Sequence, residues 1–259
     1  VRRRRRLRTA FRAALWCAVW LAGAAAAAFG FGAGWRLLTG EGRFPLDRIV
    51  VAGAGPDLAS EIEARLARLR GRNLFTLDLP GVERDVESHA WVRSASVSLR
   101  LPGSLLVLVE PRRVEALVLS GSGVRMVDAE GADLGPYGGR HASEDHPVVV
   151  GLAGGSGAGA AGRLARALRA IRILRLEAPG FVENLSTLDV SRPDRITATL
   201  RDFRPPVHLS PEEPARNLGR LDAVRARLEV DGAEAAYVDL RFRDRVAVLP
   251  RLEGAPVRG

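Results

Sequence analysis

Lysine is absent from this 259-residue chain: all 39 basic residues are arginine. That removes whole classes of chemistry, since a Walker A loop, a Ser-x-x-Lys acyl-enzyme site and a Schiff base each require an ammonium side chain. Cysteine occurs once, as Cys17 inside an apolar run, so the chain has no internal disulfide and no thiolate-rich metal site. The four histidines are scattered. His141 and His146 share a loop with Glu144 and Asp145, but no helical spacing holds them as a metal site. Ser104, Ser120 and Ser122 lack the G-x-S-x-G setting of a nucleophile elbow. No catalytic, cofactor or metal residues are expected.

What the chain has in excess is positive charge, +9 overall with a pI of 11.2. The charge is concentrated: "VRRRRRLRTAFR" holds seven arginines and no acid, which leaves only +2 over the rest. Basicity confined to a tail argues against a nucleic-acid-binding domain and for a signal read at a membrane. From Ala13 to Trp35 no charged residue occurs, and Trp16, Trp20 and Trp35 stand near the ends of that stretch. Twenty-three residues at about 1.5 Å each exceed a hydrocarbon core of about 30 Å. The expectation is a transmembrane helix over 13–38, with the arginine tail (1–12) cytoplasmic and the remainder outside. A cleaved signal peptide is the alternative, given the small residues Ala24 to Ala28, although its apolar region usually runs only about 7–15 residues.

Beyond the span the pattern changes. Ile49 to Val51 reads as a short strand. Asp57 is placed to cap a helix to about Leu69 with Leu58, Ile62, Leu66 and Leu69 on one face, and Gly71 stops it. Pro80 suits the first turn of a second helix lined by Val82, Val86 and Ala90. In "WVRSASVSLRLPGSLLVLVEPR", Val97, Leu99 and Leu101 alternate with Ser96, Ser98 and Arg100, Pro102-Gly103 turns the chain, and a second apolar run ends at Pro111. The order strand–helix–helix–strand–strand makes a small three-stranded sheet with an unpaired margin, a template for strand addition.

The second half reads as α+β with a mainly antiparallel sheet. Strands are expected at about Val182–Val190, Arg195–Leu200, Val207–Leu209, Ala236–Phe242 and Val246–Leu249, and helices over Arg163–Glu177 and Pro211–Glu229. Gly157-Ala-Gly-Ala-Ala-Gly162 spells G-x-G-x-x-G. It stands several residues after its strand and inside a run of Gly, Ala and Ser, so it reads as a flexible loop rather than a dinucleotide site.

Taken in order, "GRNLFTLDL", "HAWVRSASVSLRLPGSLLVLVEPRRVEAL", "VRMVDAEGADL", "HPVVVGL" and "AAYVDLRFRDRVAVLP" resemble the FtsQ/DivIB bacterial cell-division family, the first two its POTRA domain. The resemblance implies a non-enzymatic single-pass protein of the cytoplasmic membrane at the septum. A POTRA-like domain (46–116), a β-rich domain (117–250) and a disordered end (251–259) would lie outside the membrane. It implies FtsB-like and FtsL-like partners, other divisome components, lipid contact through span and tail, and no cofactor. It also places the partner site on the closing strand pair, at Tyr237, Arg241, Phe242, Val248 and Leu249. Arg241 and Arg245, at positions alternating with apolar ones, equally suit an edge strand kept soluble. Many relatives carry a further aromatic where this chain has Leu249-Pro250. The alternative is a POTRA component of protein translocation or outer-membrane assembly, but the chain after Leu119 is too short and too helical for a barrel.

Overall fold

The computed structural model describes residues 16, 20–32, 44–120, 123–138, 145–152, 157–231 and 234–251. The described helical residues near the N-terminus are Trp16 and 20–32, the latter labelled α1. Among the described residues no helix is long and apolar enough to cross a membrane, which overturns the expected transmembrane helix. The arginine tail and residues 13–15, 17–19 and 33–38 of the expected span, Cys17 among them, lie outside the described residues. The α+β class stands.

The chain divides into two compact units at Pro111/Arg112. In the first, β1 (Arg48–Ala52), α2 (Pro56–Leu66), α3 (Leu79–Glu87), β2 (Val92–Arg100) and β3 (Ser104–Pro111) form a three-stranded sheet ordered β1-β3-β2. β3 pairs antiparallel with β2 and parallel with β1. The two helices fill one face with Ile62, Leu66, Val82 and Val86 against Val97, Leu105 and Val107. Gly55, not Asp57, holds the cap position, and Asp57 sits in the first turn, where its charge suits the helix dipole. A 3-10 turn, Ala67–Leu69, finishes α2, and Gly71 takes a φ of 79°. The second helix begins at Leu79 with Pro80 in its first turn, as expected, and the Asp78 side chain accepts from the Gly81 N–H, but Ala90 lies beyond its end. Gly53, at φ 87°, turns so close to the Val109 carbonyl that a Cβ would collide with it.

The second unit is a nine-stranded sheet ordered β12-β11-β10-β9-β8-β7-β4-β5-β6. Its strands are β4 (Ala116–Ser120), β5 (Gly123–Val127), β6 (Asp133–Pro136), β7 (Val148–Val150), β8 (Leu185–Asp189), β9 (Ile196–Leu200), β10 (Val207–Leu209), β11 (Ala235–Asp239) and β12 (Ala247–Pro250). Helices α4 (Gly157–Glu177), α5 (Pro179–Glu183) and α6 (Leu221–Asp231) pack on one face, burying Leu168, Ile171 and Leu174 against Val149, Leu188 and Ala198. Five strand pairs are antiparallel; β4·β7, β7·β8 and β10·β11 are parallel. Parallel pairs require crossovers, and α4–α5 and α6 supply two of them.

Several elements differ from the reading of the sequence. The G-x-G-x-x-G run is the first turns of α4, not a loop: its alanines propagate the helix that Leu164 and Leu168 anchor. Val182 belongs to α5, begun by Pro179, so β8 starts at Leu185. The helix expected from Pro211 begins only at Leu221, after a 3-10 turn at Leu218–Arg220. Pro214 would break an interior turn, and Asn217 adopts a left-handed φ of 60°.

Candidate functional site at the last sheet edge

β11 reaches β10 through α6, and β12 returns from β11 as a hairpin, so β12 is the last strand of the sheet. The register pairs Tyr237 with Leu249, Val238 with Val248 and Asp239 with Ala247. Val238 and Leu240 donate their backbone N–H groups to Pro206 and His208 of the β10 side. Tyr237 and Asp239 therefore face β12, where Leu249 and Ala247 are their hydrogen-bonded partners, and the Val248 N–H and C=O point away from the sheet. No strand lies beyond β12 among the described residues. Pro250 projects a carbonyl the same way but has no N–H to offer.

Both faces of this edge carry apolar side chains. Val248 is 37% exposed and Leu249 47%. Val246, Val248 and Pro250 line a groove of about 510 Å³ whose other wall is Val224 and Leu228 of α6. On the opposite face, Tyr237 stacks on His208 with ring centroids 4.5 Å apart.

Arg241 is a structural clamp. Its guanidinium grips Asp239 through two nitrogens (3.0 and 2.8 Å) and reaches Asp194 at 3.1 Å. Its own N–H donates to the Asp239 carboxylate, which ends β11 in a turn. Burial opposes ionisation of Asp239, but the hydrogen bonds from Arg241 outweigh it and hold the carboxyl below the usual range. The same bonds raise the Arg241 pKa. His208, 8% exposed, is pushed below the ordinary imidazole value by burial and then by the Arg195 charge, against the opposing pull of Asp239.

Phe242 lies in the turn rather than in the expected strand. Its ring is 41% exposed, with the Arg245 guanidinium 5.3 Å from the centroid. Asn217 holds its backbone, the side-chain amide donating to the carbonyls of Leu240 (3.1 Å) and Phe242 (2.6 Å), while Arg216 donates to that of Arg241.

The five residues named from sequence thus gather at one edge in different roles. Phe242, Val248 and Leu249 offer exposed apolar surface, Tyr237 is half-buried against His208, and Arg241 is engaged by two carboxylates. Asp239 stands in the Asp-Leu-Arg-Phe run of the quoted closing-strand motif, while Asp194, His208 and Asn217 were not legible as part of the site. Of the latter three, only Asn217 carried a signal, since asparagine tolerates left-handed backbone.

Residues 44–112 match the family described as POTRA domain, FtsQ-type. The chain is 35% identical over 115 residues to the cell division protein FtsQ of Myxococcus fulvus, and 34% identical over 111 residues to that of Rhodothermus marinus. It is 29% identical over 133 residues to the FtsQ of Koribacter versatilis. These alignments cover 42%, 42% and 51% of this chain, and 38%, 40% and 38% of the relatives. The chain therefore spans about two fifths of the length of the curated relatives it matches. The edge at β12 lies beyond the matched POTRA segment. Residues 44–112 thus match an FtsQ-type POTRA domain, and the chain that carries them is similar to the cell division proteins FtsQ over that region and its surroundings.

Proposed function

We propose that this chain is a non-catalytic scaffold of cell division that captures an extended segment of a partner by strand addition to β12. Main-chain bonds to Val248 and the Pro250 carbonyl give the segment its register. Phe242, Leu249 and the groove beneath Val248 select its side chains. FtsB-like and FtsL-like division proteins are the partners, and through them the chain helps recruit and regulate septal peptidoglycan synthesis. The chain transforms no substrate. One observation carries this reading: the Val248 N–H and C=O face outward, with apolar side chains exposed on both sides of the strand.

Proline substitution tests it. Val248→Pro deletes the outward donor without touching the bonds between β11 and β12, whereas Ala247→Pro removes a bond inside the pair. The first variant should keep wild-type thermal stability and bind an FtsB-like segment about tenfold more weakly or worse. The second should lose stability. Wild-type affinity in Val248→Pro would overturn strand addition here.

A further inference from the structure

The POTRA sheet has an edge too, at β2, and that edge is already occupied by side chains. The Ala95 N–H donates to Glu87 Oε1 at 3.1 Å and the Val97 N–H to Glu83 Oε1 at 2.9 Å. These amides belong to alternate residues of β2, so both point away from β3. Glu83 and Glu87 are four apart on α3, a rise of about 6 Å, and the two amides are two apart on an extended strand, about 7 Å. The spacings match because α3 runs antiparallel to β2, the lower-numbered glutamate meeting the higher-numbered amide.

The helix is fixed in that position from its other faces. Val82 and Val86 are buried in the core of the unit. Asp85 takes hydrogen bonds from Arg65 (2.9 Å) at the end of α2 and from Arg68 (2.6 Å) in the turn after it. The Gly81 N–H is capped by Asp78. Carboxylates accepting from backbone N–H groups make stronger bonds than neutral acceptors. The two outward donors at the middle of β2, Ala95 and Val97, are therefore already taken.

We infer that α3 is a latch on the β2 edge: Glu83 and Glu87 close it to strand addition, and a partner strand can pair there only by displacing both carboxylates. β12 has no such guard, since no described side chain takes the Val248 N–H. The β2 edge is thus held in reserve while the β12 edge stands open. The inference rests on α3 and β2 alone and is independent of the partner proposed for β12.

Amide exchange in the full chain, resolved by NMR, tests the latch. In the double variant Glu83→Ala/Glu87→Ala, the Ala95 and Val97 amides should exchange about tenfold faster or more, while Ser96 and Ser98, bonded to β3, keep their rates. In Glu83→Gln/Glu87→Gln the side-chain carbonyls still accept, so exchange should stay near wild type. The alanine variant should also self-associate with rising concentration in sedimentation, the Gln variant less so. Unchanged exchange at Ala95 and Val97 would overturn the latch, as would equal acceleration of all four amides in both variants. Selective acceleration with no gain in self-association would overturn its role as a gate.

Discussion

Phe242→Ala isolates the anchor of the proposed interface. A phenylalanine can bury about 200 Å². With 41% of the residue exposed, roughly 80 Å² remains for a partner to cover, worth about 2 kcal/mol at about 25 cal/mol per Å². That is a loss of about thirtyfold in affinity. Folding should suffer much less, because the turn is held through main-chain carbonyls by Asn217 and Arg216 rather than through the ring. Isothermal titration with an FtsB-like segment reads the first quantity and the urea midpoint of the free chain reads the second. An affinity within threefold of wild type would refute Phe242 as an anchor. A fall in stability as large as the loss of binding would show that the ring packs within the fold instead.

Three further outcomes follow from the geometry. Asp239→Ala should cost about 3 kcal/mol in chemical unfolding, because it leaves the Arg241 guanidinium beside the sheet without its bidentate partner. His208, held below its ordinary 6.5, supports the fold above that pH. This support is lost as the pH falls through the lowered native value, so the thermal midpoint should drop on acidification, and less steeply in His208→Asn. Gly53→Ala should destabilise the POTRA unit by about 2 kcal/mol or more, measured by thermal melting, since a Cβ there meets the Val109 carbonyl at a φ of 87°.

The POTRA unit was legible because its signals are local. Period-two alternation at Val97 and Leu99, the Pro102-Gly103 turn and Pro80 in the first turn of α3 each act within a few residues. The second unit was less so. The alanines that carry α4 back to Gly157 look like low-complexity linker until Leu164 and Leu168 are known to be packed. The turn that ends β11 at Asp239 depends on a carboxylate gripped by Arg241 and on Asn217, more than twenty residues upstream, which no local pattern encodes. Nothing in the sequence marks Glu83 and Glu87, because periodicity separates apolar from polar but says nothing of what a polar residue bonds. The apolar run from Ala13 misled in the other direction: composition set the expectation of a span, and among the described residues no helix is long and apolar enough to cross a membrane.

Pro250 sets a limit on how long a visiting segment can be. It forecloses donation at one end of β12, and six residues upstream the chain is still bending through the turn that bears Phe242. Only a handful of residues can lie alongside, which caps what backbone pairing contributes at a few bonds of about 1 kcal/mol each. Discrimination between rival segments therefore falls to side chains, and homologues could change allegiance by altering two or three positions without rebuilding the sheet.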